Sequence, residues 1–315
     1  MKRKLLIIIG LTLVFSQLLA CDSGEKTGFV PEVVEETIEI EGISREYKLL
    51  YITDTHMVVP TDSDSENEMK YANERKNMFY DAQGHSAAEQ FSAWMDYANE
   101  NAVDAVLLGG DIIDSPSSGN IAYLEDNLAT LNMPYLMIPG NHDWTYPWDY
   151  MTESGKETYM SLLPFSKNPY TDNPGECQVL EFEDLMIVGI NDSSNQVTKE
   201  AFDGFMLANE EKKPIIVLAH VPFMTQTLLV QARETWSSPT VLGGGGYGGI
   251  YPDEISGKFL DAIVSKDSNV ELVLGGHVHF YNDDMIEGEK NVRQIVGDDG
   301  FSGKSLLLHV KPVEE

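Results

Sequence analysis

A short, almost wholly apolar run that stops on a polar residue recurs six times along this chain. The first is KLLYITD (48–54), followed by DAVLLGGD (104–111), PYLMIPGNHD (134–143), LMIVGIND (185–192), KPIIVLAH (213–220) and VELVLGGH (270–277). Runs of consecutive aliphatic residues with no polar alternation suit strands buried on both faces. Between several of them lie segments of helical period, such as AAEQFSAWMDYANENA (87–102), where Phe91, Trp94, Met95 and Ala98 share one face. Strands alternating with helices predict an α/β fold with a mainly parallel sheet.

Two stretches break this rhythm. Residues 59–86 are polar and follow the first run, which predicts a long loop or cap with partial helix. Residues 237–253 contain a glycine run, Gly243–Gly249, too flexible for regular structure. With Tyr247 and Tyr251 it reads as a lid or as a mobile surface loop.

The amino terminus belongs to targeting rather than to the fold. Lys2, Arg3 and Lys4 precede an apolar run from Leu5 to Val14, and Leu18-Leu19-Ala20-Cys21 closes it. This resembles a bacterial lipoprotein signal over residues 1–20, in which Cys21 is lipidated. The expectation is an exported protein, lipid-anchored to the outer face of the cytoplasmic membrane. Residues 21–45 then read as an acidic tether, and 46–315 as the folded domain. Cys177 is the only other cysteine, so a lipidated chain has no intrachain disulfide and no cysteine-based zinc site.

Composition narrows the function classes. Hydrophobic residues make up 42% and charged residues 23% of 315, enough for a sizeable core. The net charge of −30 argues against stable nucleic-acid binding, which depends on basic patches. A phosphate-bearing substrate would have to be attracted locally against that field, so bound metal is the expected source of positive charge.

The chemistry sits where the apolar runs end. Asp54, Asp111, Asn141, His220 and His277 each follow one of them, and open α/β sheets place their sites beyond the carboxyl ends of strands. Five clusters result: Asp54-Thr55-His56, Gly110-Asp111 with Asp114, Gly140-Asn141-His142-Asp143, His220, and Gly276-His277-Val278-His279. Five of the seven histidines fall in these clusters. Taken singly, each aspartate could be a cap or turn residue and His220 a core histidine. All of them at strand ends together make a metal site the better reading.

The ordered set D-x-H, G-D-x-x-D, G-N-H-D, H and G-H-x-H resembles the calcineurin-like metallophosphoesterase superfamily. That resemblance implies a four-layer α/β/β/α sandwich with a dinuclear metal site. One metal would take Asp54, His56, Asp111 and His279; the other would take Asp111, Asn141, His220 and His277, with Asp111 bridging. Mixed imidazole and oxygen ligands suit Fe, Mn or Zn. His142 would contact the phosphoryl group or protonate the leaving oxygen, Asp143 would orient His142, and Asp114 would act behind them.

Departures narrow the branch. Protein Ser/Thr phosphatases carry Arg after G-D-x-x-D and read G-N-H-E, whereas Ser115 and Asp143 stand here. Purple acid phosphatases have D-x-G and a tyrosine ligand, where this chain has His56 and Asp114. The pattern is closest to the cyclic-nucleotide phosphodiesterase-like branch, with a small phosphomonoester or phosphodiester as substrate. The alternative is a lipoprotein that keeps the fold for ligand binding without catalysis. Trp144, Tyr146 and Trp148 could wall a substrate pocket or pack the loop. Arg75 and Lys76 could bind a phosphate or lie in solvent. His85 and His309 lie outside the motifs.

Overall fold

The computed structural model describes residues 28–172, 175–238, 240–244 and 249–314. The lipoprotein signal, Cys21 and Tyr247 lie outside the described residues. Strands in chain order are β1 Glu32–Ile40, β2 Tyr47–Ile52, β3 Ala105–Leu108, β4 Tyr135–Met137, β5 Cys177–Glu181, β6 Met186–Ile190, β7 Ile215–Ala219, β8 Val270–Gly275, β9 Asn282–Ile286, β10 Val292–Val296 and β11 Lys304–Pro312. The helices are α1 Glu66–Arg75, α2 Ala87–Glu100, α3 Ser118–Leu128, α4 His142–Thr145, α5 Glu153–Met160, α6 Lys199–Glu210, α7 Gln226–Trp236 and α8 Glu254–Ile263. All six apolar runs contain strands.

Two sheets form, ordered β1-β11-β2-β3-β4 and β5-β6-β7-β8-β10-β9. The central pairs β2–β3, β3–β4, β6–β7 and β7–β8 are parallel, while β11–β2, β5–β6 and β10–β9 are antiparallel. Side-chain alternation sorts the strand residues into layers. Leu49, Tyr51, Ala105, Leu107 and Leu136 face Ile187, Ile216, Leu218, Leu272 and Leu274 between the sheets. Leu50, Ile52, Val106 and Leu108 face outward onto Phe91, Trp94 and Met95 of α2 and Leu124 of α3. On the far side Val188, Val217 and Val273 pack on Phe205 of α6 and Phe259 of α8. The result is the α/β/β/α sandwich.

The tether expectation needs correction. From Glu32 the acidic stretch is strand β1, parallel to β11 from Glu32↔Lys304 to Ile40↔Pro312. The glutamates of EVVEETIEI mask the reason: Ile38 and Ile40 are buried while Thr37 and Glu39, which alternate with them, are exposed, the period of an edge strand. The 59–86 stretch holds α1, started by Ser65, whose hydroxyl accepts from Glu68 N–H while the Glu68 carboxylate accepts from Ser65 N–H. Its last residue, Arg75, reaches the site.

Candidate metal centre

The ligand-type residues stand on the loops just past β2, β3, β4, β7 and β8, and backbone hydrogen bonds lace those loops together. Asp54 N–H donates to Gly110 O at 3.0 Å, His56 N–H to Asp111 O at 2.9 Å, and Gly276 N–H to His220 O at 2.9 Å. Asp54, His56, Asp111, His277 and His279 all have left-handed backbone, with φ of 53°, 48°, 52°, 70° and 56°. Each such conformation costs about 1–3 kcal/mol and persists where the surroundings over-determine it, characteristically at functional sites. Gly140 is required by proximity: a Cβ there would collide with the Asp111 carboxylate and backbone.

Two sets of donors converge. One ligand atom each from Asp54, His56, Asp111 and His279 lies within 4.8 Å of the others, and so does one each from Asp111, His220 and His277. Asp111 belongs to both. Its Oδ1 accepts the His142 backbone N–H at 2.7 Å, while its Oδ2 lies 3.3 Å from His220 Nε2 and 3.7 Å from His56 Nε2. One carboxylate oxygen therefore sits between imidazoles of the two sets.

Several of these candidate ligands have a supporting contact behind them. His220 Nδ1 donates to Gly109 O at 2.8 Å, which leaves Nε2 facing Asp111. Asp54 accepts the His277 backbone N–H at 3.0 and 2.9 Å and the Thr53 hydroxyl at 2.7 Å. His56 stacks on Phe79, with ring centroids 4.9 Å apart. Asn141 Oδ1 and His220 Nε2 are buried without hydrogen-bond partners, as expected of atoms that serve a cation. Donor type, convergence and these two orphaned atoms together fit a metal pair.

The electrostatics agree. Burial would depress His220, but Asp111 and Asp54 outweigh it and raise it to about 10. Burial opposes ionisation of Asp111, yet the surrounding imidazoles hold it well below the ordinary carboxylate range. His277 is pushed down to about 3, chiefly by burial and then by His220.

His142, at the first position of α4, directs Nδ1 to within 3.1 Å of Asp114 Oδ1. Burial lowers its basicity, but Asp111 and Asp114 raise it by more. Asp114 thus stands behind the histidine, as expected. Asp143 does not: its carboxylate accepts backbone N–H groups of Gly140, Asp111 and Ile113 at 2.7, 2.8 and 2.9 Å. Successive helix residues point about 100° apart, so neighbours on α4 diverge, and Asp143 fixes the loops rather than His142.

Several contributing residues are not signalled by motif. Arg75 grips Asp114 and lies between Tyr146 and Phe79, with its guanidinium 4.7 and 5.0 Å from their ring centroids. It is thus partly buried and committed to Asp114 rather than standing free in solvent. Asp192 accepts the backbone N–H groups of His220 and Val221 at 2.9 and 3.1 Å; its position at the end of an apolar run was the available signal. Of the three aromatics after G-N-H-D, Trp144 is buried and donates to Ser193 Oγ at 2.8 Å, whereas Tyr146 and Trp148 pack on His142. Lys76 pairs with Asn73, His85 with Asp81 and His309 with Glu46, all outside the cluster.

Two stacked sheets with aspartates and histidines converging at their loop edge define an α/β protein with a site fitted to hold metal. Residues 47–281 match the family described as calcineurin-like phosphoesterase, and the chain belongs to that family. Membership carries metal-dependent phosphoester hydrolysis as the general activity and implies two divalent metal ions. No curated protein sequence matches the chain. Among solved structures it is similar to a dimetal phosphatase from Danio rerio, with TM-score 0.46 and 10% identity over 82% of this chain and 89% of that one. It is also similar to a Staphylococcus aureus protein described as a "Putative 5'-Nucleotidase", with TM-score 0.41 and 16% identity over 80% of this chain and 48% of that one.

Proposed function

We propose that the chain hydrolyses a small phosphoric ester at two transition-metal ions. Asp54, His56, Asp111 and His279 would hold one, and Asp111, Asn141, His220 and His277 the other. The observation that carries this reading is Asp111 Oδ2, which lies between His220 Nε2 and His56 Nε2. The mixed nitrogen and oxygen donors favour Fe, Mn or Zn over Mg or Ca. When bound, the pair would supply an activated water nucleophile near neutral pH and would neutralise charge on the phosphoryl oxygens.

The protein's own side chains do the rest. His142 is flanked by Asp111 and Asp114, which favour its protonated form. A histidine so placed at the edge of the cluster would supply the proton that the departing oxygen needs. Asp114 fixes that ring, and Arg75 fixes Asp114. The sequence pattern favours the cyclic-nucleotide phosphodiesterase-like branch. The acidic chain favours a small-molecule substrate over a nucleic acid.

The test is direct. Purified protein should carry two transition-metal ions per chain, lose phosphoester hydrolysis on chelation and regain it with Mn, Zn or Fe. Protein that holds no transition metal and is inert across phosphomonoesters, cyclic nucleotides and phosphodiesters sinks the proposal. Export as a lipoprotein anchored through Cys21 is a separate part of it, supported by the basic, apolar and Ala20-Cys21 sequence. Metabolic palmitate should label the wild type and not Cys21→Ala; equal labelling would refute the anchor.

A further inference from the structure

The chain has four tryptophans, and burial divides them. Trp94 and Trp144 lie in the core, while Trp148 and Trp236 are 54% and 43% exposed. Single exposed apolar residues need no explanation, but these two flank one row of imidazoles. The Trp148 ring meets His142 at 5.1 Å between centroids, edge to face, and Trp236 meets His279 in the same manner at 5.4 Å. His56 joins the row from within, 4.6 Å from His142 and 4.9 Å from His279.

Neither indole is loose. Trp236 Nε1–H donates to Val278 O at 2.8 Å, which fixes the ring against the His277–His279 turn. Trp148 abuts Tyr146 at 5.4 Å, and Tyr146 stacks on His142 with 18° between the planes. Two anchored and partly exposed aromatic rings therefore stand at either end of this row of imidazoles.

We infer that Trp148 and Trp236 wall two subsites, one for each ester arm, and that the substrate is a phosphodiester with a planar or apolar group on both sides. This rests on the phosphoesterase reading above. A monoester has a single arm and would leave one indole without a contact. Charge points the same way: a diester brings one negative charge to a protein of net charge −30, a monoester up to two. The end at which His142 stands receives the departing oxygen, so Trp148 faces the leaving arm and Trp236 the retained arm. In the reaction, the bond from phosphorus to the leaving arm's oxygen breaks and a water-derived oxygen bonds to phosphorus. The departing oxygen takes a proton from His142, and the water's proton returns to the protein. The products are an alcohol and a monoester of the retained arm.

Three substrates with the same leaving group separate the subsites: bis(4-nitrophenyl) phosphate, methyl 4-nitrophenyl phosphate and 4-nitrophenyl phosphate. With metal-loaded protein, Trp236→Ala should lower kcat/KM for the bis-aryl diester about tenfold, the size of one lost aromatic stack, and leave the methyl diester within about twofold. Trp148→Ala should lower both diesters about tenfold. Trp148→Phe and Trp236→Phe should recover most of the loss, which a merely misfolded variant would not show. Diphenyl phosphate should quench wild-type tryptophan fluorescence, and each alanine variant should lose part of that quench. Equal effects of Trp236→Ala on both diesters, or active variants with unchanged kcat/KM, overturn the two-arm assignment alone. A metal-loaded wild type that hydrolyses none of the three overturns the phosphoesterase reading with it.

Discussion

Arg75 holds Asp114 through two parallel hydrogen bonds, Nε to Oδ2 and Nη2 to Oδ1, each 2.7 Å long. The same Asp114 Oδ1 lies 3.3 Å from His56 Nδ1 and 3.1 Å from His142 Nδ1. One carboxylate thus ties helix α1 to His56, a proposed metal ligand, and to His142, the proposed proton donor. Asp114 is held at a depressed pKa against its burial, by Arg75 first and then by His142 and His56.

Removing the guanidinium should leave a buried carboxylate short of its strongest partner. Arg75→Ala is expected to lose about 3 kcal/mol of stability, the low end for breaking a buried pair because Arg75 is itself partly exposed. Arg75→Lys should recover charge but not the fork, and so restore stability better than kcat. Denaturant midpoints and kcat measured at saturating metal check both statements. An Arg75→Ala protein with wild-type midpoint and turnover would show that the fork positions nothing.

Asp111 and His142 should fail in different ways. Asp111→Asn removes the negative charge shared by both donor sets, so most bound metal and nearly all activity should go together. His142→Ala keeps every proposed ligand and should retain metal while kcat falls by roughly two to four orders of magnitude, the loss expected for acid or oxyanion help. Elemental analysis beside kinetics distinguishes them. Metal loss in His142→Ala would mean that the imidazole is a ligand.

The parts of this arrangement legible in the sequence are those in which local pattern and burial coincide. KLLYITD and VELVLGGH read as strands because both of their faces are covered, so no polar alternation interrupts them. The polar residue that ends each run stands at the loop edge for the same reason. Strand β1 escapes this reading because Glu32, Glu35, Glu36 and Glu39 dominate its composition, and only the fold supplies β11 as a partner. Arg75 escapes because Asp114 lies 39 positions away and their meeting depends on where α1 packs. Asp143 shows the opposite hazard: adjacency to His142 suggests a contact that helix geometry forbids. Trp236 ends a helix of ordinary period, and nothing local marks the His279 ring beside it.

The proton on His220 makes metal binding depend on pH. In the metal-free protein its pKa is raised from the ordinary 6.5 to about 10 by Asp111 and Asp54 against the effect of burial. A raised folded-state pKa contributes stability that is full below 6.5 and lost as pH rises through about 10, so the chelated protein should lose stability across that window. Its Nδ1 is committed to Gly109 O, so the proton to be displaced by metal is the one on Nε2. At neutral pH, metal uptake must then expel about one proton from this residue. His279 is also raised on balance by the Asp54 carboxylate, although burial opposes it, whereas His277, pushed down to about 3 chiefly by burial, is already neutral and releases none. Metal affinity should accordingly rise at least about tenfold per pH unit between about pH 6 and about pH 8. Calorimetric titration in buffers of different ionisation enthalpy measures the released protons directly. In His220→Asn the count should fall by about one; an affinity independent of pH in the wild type would mean that no ion displaces the His220 proton.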